Sequence, residues 1–349
     1  MIRVLVSSTG CGEVCVNNAR RLGHGILATC SAFKNKSEEA ARNQNLVTSL
    51  FKMVRKYTGQ EILSGKTVII TGANTGIGKE TARDLARRGG RIILACRNLE
   101  KGENARREIA EDTNNQEVIF KELDLSSFAS IQKFAKDFNE TESRLDILIN
   151  NAGVMACPKM LTQDGLEMQI GTNHFGHFLL TELVMDKLKA SSPSRIVILS
   201  SAAHSWGTIN FEDLNSEKSY SSFAAYQQSK LANVLHALEL SNRLKGTGVT
   251  VNSVHPGIVN TELARYMNSA CMKCLLVPLA KFVLLSPEQG AQTTLHCALN
   301  PKLENVSAKY FADCREKTAS CRARNEEDAR RLWTLTEEII HSKLPSTPM

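Results

Sequence analysis

The sequence predicts a doubly wound α/β fold, a parallel sheet covered by helices on both faces. Three observations carry the prediction. From Gly65 onward, short apolar runs alternate with helical stretches. The runs are almost continuously apolar, as in strands buried on both faces. Each conspicuous polar cluster (TGANTG, ACR, LDL, NNAG, SSAAH, HPG) stands just after one of these runs, where open α/β sheets bind their ligands.

Taken in order, "KTVIITG" (66–72) reads as a β-branched strand, and "GKETARDLARRGG" (78–90) as a helix closed by Gly89 and Gly90. "RIILACR" (91–97) is a second strand, and "EVIFKELDL", "LDILINNAG", "SRIVILSS" and "VTVNSVHPG" each read as a further short strand ending in small or polar residues. Between them, "SIQKFAKDFNE" (130–140) and "FLLTELVMDKLKA" (178–190) have helical periodicity. Strands that alternate with helices need crossover connections, hence a parallel sheet.

Composition narrows the setting. The chain has 349 residues, 42% hydrophobic and 23% charged, with a formal charge of +7 scattered along its length. Without a basic block, nucleic acid is not an expected partner. Ten cysteines at scattered positions do not form the framework of a small secreted domain. Cys271 and Cys274 form a C-x-x-C with no second pair or histidine at ligand spacing, so no metal is expected. The longest apolar stretch, "CLLVPLAKFVLL" (274–285), is interrupted by Pro278 and Lys281 and falls short of the roughly 18 to 20 residues a membrane span needs. It reads either as the lining of an apolar pocket or as a surface resting on a membrane. Residues 1–61 form a separate extension; within them Arg3, Arg20, Arg21, Lys34 and Lys36 face a single acid, Glu13, up to residue 36. A mitochondrial targeting segment and an extension of no function both fit that composition.

"TGANTGIGKE" (71–80) joins the first strand to the first helix. Gly72 permits a tight turn, Gly76 a close approach of backbone to phosphate, and Gly78 close packing of helix on sheet, with free N–H groups facing a pyrophosphate. The end of the second strand carries Arg97, where an NAD site has an acid for the adenosine ribose. A guanidinium suits a 2′-phosphate, so NADP is the expected cofactor, with Lys79 as an additional cation. "YQQSK" puts Tyr226 and Lys230 on one helix face. An ammonium near a phenol stabilises the phenolate, which makes the tyrosine a proton donor or acceptor within reach of neutral pH.

The ordered motifs TGANTGIG, NNAG, YQQSK and HPG resemble the short-chain dehydrogenase/reductase superfamily over about residues 62–315. "CRN", "NNAGVM", "GTNHFGHFLLT", "SSAAH", "SKLANVL", "GTGVT" and "GAQTTLHCAL" resemble, more narrowly, its NADP-dependent retinol dehydrogenase group. The resemblance implies a Rossmann-type three-layer sandwich with a parallel seven-stranded sheet, spanning 62–315, followed by a helical tail at 316–349. It implies Asn173, Ser201, Tyr226 and Lys230 as catalytic residues, with Asn173 holding a water that relays protons to the lysine. Cofactor contacts fall on Gly72, Asn74, Thr75, Gly76, Ile77, Gly78, Arg97, Asp124, Leu125, Asn151, Ala152, Gly153, Tyr226, Lys230, Pro256, Gly257 and Thr261.

The implied reaction is NADP(H)-dependent interconversion of a hydrophobic aldehyde or ketone, such as retinal or a lipid aldehyde, with its alcohol. A steroid dehydrogenase, a non-catalytic NADP-binding scaffold and a same-fold isomerase or dehydratase are the alternatives. The expected setting is intracellular, at the endoplasmic reticulum or mitochondrion with peripheral membrane association, as monomer or homodimer. Many of the group begin with an apolar anchor, and the first sixty residues here show none.

Overall fold

Strand β1 (Thr67–Thr71) is buried along its whole length. Its side chains divide between two cores: Val68 and Ile70 join one apolar cluster, Ile69 the other. This two-sided burial explains why the strand reads as an unbroken β-branched run. The computed structural model describes residues 55–266 and 284–344. The extension before residue 55, the C-x-x-C and nearly all of the 274–285 stretch lie outside the described residues.

Beside β1 stand β2 (Arg91–Cys96), β3 (Val118–Glu122), β4 (Ile147–Asn150), β5 (Ser194–Leu199), β6 (Val249–His255), β7 (Tyr310–Ala312) and β8 (Arg315–Lys317), in the order β3-β2-β1-β4-β5-β6-β7-β8. Seven strands are parallel, as expected. The sheet has an eighth, antiparallel to β7, with Ala312 opposite Arg315. Asp313 and Cys314 both adopt φ 52° in the intervening turn, the left-handed pair that closes a two-residue hairpin. Three residues per strand are too few to leave a periodic signature.

Helices α1 (Gly76–Arg87), α2 (Leu99–Thr113) and α7 (Pro287–Leu299) cover one face through Ala82, Leu85, Ile109 and Leu295. The other face is covered by α3 (Phe128–Thr141), α4 (Gly176–Leu183), α5 (Met185–Ala190), α6 (Ser222–Arg243) and α8 (Glu326–Lys343). Helix α1 ends as Gly89 and Gly90 predict: Gly89 takes φ 82°, its N–H donates to Ala86 O and that of Gly90 to Leu85 O. These paired bonds satisfy the last carbonyls of the helix.

Helix α8 begins at Asn325, whose side chain accepts from Glu327 N and Asp328 N, and places three acids in its first turn, both favourable at a helix N-terminus. It buries Leu332, Trp333, Thr336 and Ile340. Trp333 meets Phe178 edge-on at 4.5 Å between ring centroids, and the Arg243 guanidinium of α6 covers it at 4.3 Å. No described helix is long and apolar enough to cross a membrane.

Candidate active site

Strand order reverses between β1 and β4, and the carboxyl ends of these strands open into a cleft of about 510 Å³. Thr71, the last residue of β1, joins them. Its hydroxyl oxygen accepts the N–H groups of Asn151 and Ala152, both at 2.9 Å. With both lone pairs used, its proton goes to His177 Nε2 at 2.8 Å, and His177 Nδ1–H donates to Asn173 O at 3.0 Å. Asn151 Nδ2 donates to Thr71 O at 2.7 Å, and so holds the start of the glycine turn.

In that turn Gly72 and Gly76 adopt φ 65° and 56°, and a Cβ on Gly78 would lie 2.5 Å from Asn151 Nδ2 and 2.6 Å from Gly72 O. Both conformation and space therefore demand glycine. Helix α1 starts here with no side-chain cap bond and no acid in its first turn. Unclaimed N–H groups and the positive end of the helix fit a pyrophosphate.

Arg97 and Asn98 follow β2, are exposed, and line the same cleft. Asn98 caps α2 by accepting from Lys101 N at 2.8 Å, which brings Lys101 to the cleft wall. Lys79 does not contribute as expected: it pairs with Glu108 of α2 and is absent from the lining. The cation that lines the wall with Arg97 is Lys101, which stands 3.6 Å from Glu262 of the opposite wall and is legible in principle from an Asn cap three residues ahead of it. Asp124 and Leu125 line the cleft beyond β3; the Asp124 carboxylate accepts from Ser126 N and Oγ at 2.9 and 2.7 Å. Asn74, Thr75, Ile77, Ala152, Gly153, Pro256, Gly257 and Thr261 complete the expected set on the wall.

Tyr226 and Lys230 stand one turn apart on α6, 7% and 4% exposed. Lys230 Nζ lies 5.7 Å from the phenol ring centroid and donates to Leu199 O at 3.2 Å. The end of β5 clamps the helix: Ser200 Oγ donates to Lys230 O at 2.7 Å and Asn233 Nδ2 to Leu199 O at 2.9 Å. Burial pushes the phenol up to about 12, opposed by a hydrogen bond from Ser201. Burial also pulls Lys230 down to about 8.

Ser201, Tyr226 and Lys230 all line the cleft, whereas Asn173 is fully buried behind it. Asn173 lies on a π-helical segment, Gly171–Phe175. Its Oδ1 accepts from Val154 N at 2.8 Å, and its Nδ2 donates to Val154 O at 3.0 Å and Ser229 Oγ at 2.9 Å. A Cβ on Gly153 would sit 3.2 Å from Asn173 Oδ1 and 3.6 Å from Lys230 Nζ. Asn173 therefore stands behind Lys230 across a glycine, with its side chain committed to holding loop and helix together. His174 and His177 are buried and neutral, held by burial at about 3 and about 4, in keeping with packing roles.

Val154, Met168, Thr172, Leu263, Arg265 and His255 line the cleft without having been singled out from sequence for it. Nothing in their local spacing marks them; the chain brings them in from the loop after β4 (Val154), the helical turns ahead of α4 (Met168, Thr172), the end of β6 (His255) and the 3₁₀ segment Glu262–Tyr266 (Leu263, Arg265). The polar 202–225 segment is tied to the loop after β4, because Tyr220 OH donates to Cys157 O at 2.7 Å.

Residues 66–271 match the family model described as short chain dehydrogenase. The chain belongs to the short-chain dehydrogenase family. Its relatives include Retinol dehydrogenase 11 from Homo sapiens, 54% identical over 278 residues, or 80% of this chain and 86% of that one. Retinol dehydrogenase 13 from Mus musculus is 54% identical over 282 residues, 80% of this chain and 84% of that one. Among solved structures, an uncharacterised protein from Mycobacterium paratuberculosis is 38% identical with a TM-score of 0.66, over 83% of this chain and 99% of that chain. This short-chain dehydrogenase is therefore an oxidoreductase of the class acting on CH–OH donors, and the family's cofactor is a nicotinamide dinucleotide.

Proposed function

We propose that this short-chain dehydrogenase reduces a hydrophobic aldehyde or ketone, foremost retinal, to the alcohol with NADPH. The carrying observation is that Ser201, Tyr226 and Lys230 meet in one cleft whose far end presents Arg97 and Lys101 after β2. The ~54% identity to retinol dehydrogenases supports the choice of substrate. When bound, the nicotinamide supplies hydride to the carbonyl carbon.

The chain supplies the proton. Tyr226, with its phenol at about 12, is fully protonated at neutral pH and donates to the carbonyl oxygen. Lys230 stabilises the phenolate left behind, and Ser201 donates to the charge growing on oxygen. Arg97 and Lys101 would hold the 2′-phosphate, and the glycine turn with the α1 N-terminus the pyrophosphate. Residues 62–315 form the catalytic domain on this reading, with 316–349 as its helical tail and 1–61 as an extension. Peripheral residence on the endoplasmic reticulum or mitochondrial membrane suits a lipophilic substrate. The test is a panel of all-trans-retinal, medium-chain aldehydes and steroid ketones with NADPH and with NADH. Retinal turnover with NADPH far above NADH is the expected result; turnover of steroid ketones alone, or with NADH alone, would overturn it.

A further inference from the structure

The motif SSAAH contains a histidine to which the reaction above assigns no part. His204 is 2% exposed and stands three residues after Ser201 on a single 3₁₀ turn, Ala202–Trp206. Two donors define its protonation. Ser320 N–H points at His204 Nε2 at 3.2 Å, and Ser205 Oγ stands 3.4 Å from the same atom. Nε2 is therefore the acceptor, and the proton sits on Nδ1, which donates to Ser201 O at 2.7 Å. The His204 backbone N–H donates to that same carbonyl at 3.1 Å. The imidazole also packs on Tyr310 of β7, 4.7 Å between ring centroids.

One ring thus joins the backbone of Ser201 to the segment that follows β8. The ring bond adds to that backbone bond, and Arg322 Nη1, which donates to Gly207 O at 3.1 Å, ties the end of the turn to the same segment. The Ser201 hydroxyl itself accepts Ala203 N at 3.2 Å and stands near enough to Tyr226 to lower its phenol. Without the ring bond the carbonyl keeps only the 3.1 Å backbone bond, and the hydroxyl is freer to leave its place beside Tyr226. A displacement of about an ångström at such a donor is enough to slow the chemical step by roughly 100-fold.

We propose that His204 is a positioning residue of the reaction: its Nδ1–H bond to Ser201 O fixes the serine hydroxyl against Tyr226, and Ser320 sets the tautomer that makes the bond. The proposal rests on the catalytic reading of Ser201 and Tyr226.

Asparagine and glutamine separate the two bonds. In His204→Asn the amide nitrogen takes the place of Nδ1 and keeps the donor to Ser201. In His204→Gln the amide takes the place of Nε2, keeps a partner for Ser320 N and loses that donor. The measurements are kcat for the best carbonyl substrate of the panel, Kd for NADPH by tryptophan fluorescence, Tm, and the pH dependence of alcohol oxidation, where Tyr226 acts as base.

His204→Gln is expected to lose kcat by ~10- to 100-fold, with the NADPH Kd within about twofold of the unaltered enzyme. Its oxidation profile should shift to higher pH, because a Ser201 displaced from the phenol no longer lowers it. His204→Asn is expected to recover about tenfold of that loss. Equal kcat and equal profiles for the two variants, or a slower Asn than Gln enzyme, would overturn the proposal, whatever their Tm values. Tyr226→Phe in the same assays keeps the two readings apart. Its full activity would overturn the catalytic reading, whereas an inactive Tyr226→Phe beside a fully active His204→Gln would overturn the role of His204 alone.

Discussion

At the scale of single residues, the site depends on opposite uses of burial. Tyr226 is kept protonated and Lys230 is drawn down to about 8 by the same dry surroundings. Reduction by the proposed mechanism needs the phenol protonated and the ammonium charged. The lysine loses its proton as pH rises through about 8 while the tyrosine keeps its own. The carbonyl reduction rate at saturating NADPH is therefore expected to fall on the alkaline side of about pH 8, and a rate that rises steadily to pH 10 would contradict the assignment. At the other end of the cleft, Arg97→Asp should turn the preference from NADPH toward NADH, read as the ratio of the two kcat/KM values.

Much of this was readable before the structure was known, because chemistry that depends on residue type leaves a motif: Tyr226 with Lys230, Ser201, Arg97. Lys101 was not, since its place depends on where α2 begins. Asn173 was readable as a position but not as an arrangement, because its partners Val154 and Ser229 come from a loop and a helix that only folding brings together.

At the scale of elements, the turn into α1 is the most constrained piece. Gly78→Ala would drive a methyl into Asn151 Nδ2 and Gly72 O and so push the turn off the β4 end. NADPH affinity should fall by at least ~10-fold with Tm lowered by only a few degrees, measured by fluorescence titration and calorimetry.

Helix α8 makes the opposite trade, since it carries no cleft residue but places Trp333 in the core. Trp333→Ala is expected to cost about 3–5 kcal/mol of unfolding free energy, from denaturant titration. The strands of the parallel sheet and the helix stops announced themselves through periodicity and glycine, down to the Gly89–Gly90 cap. Hairpin β7–β8 did not, because its two left-handed residues are Asp313 and Cys314 rather than glycines.

For the whole molecule, buried histidines weaken acid stability: three of the four among the described residues, His174, His177 and His236, lie together on one face of the sheet. His174, His177 and His236 are all held neutral by burial, His177 until about pH 4 and His174 until about pH 3. In the unfolded chain the same groups take up protons near pH 6.5. Between pH 6.5 and 4 the unfolded state therefore binds more protons, and stability drops as pH falls, by up to about 1.4 kcal/mol per pH unit each for His174 and His177, with His236 acting in the same direction. Unfolding free energies measured from pH 7 to pH 4.5 should show this loss, and a His177→Asn variant a shallower one.

The doubly wound architecture was legible as a whole, since strands alternating with helices admit little else. Its consequence is functional: β1, β4, β5 and α6, remote in sequence, deliver cofactor turn, serine and tyrosine to one crevice. The central claim is that Tyr226 delivers the proton in that crevice. Its most direct measurement is single-turnover oxidation of bound NADPH by all-trans-retinal, compared between the unaltered enzyme and Tyr226→Phe. Unchanged NADPH affinity with hydride transfer slowed by ~10²- to 10⁴-fold is the predicted result; an equal transfer rate in the two enzymes would contradict it.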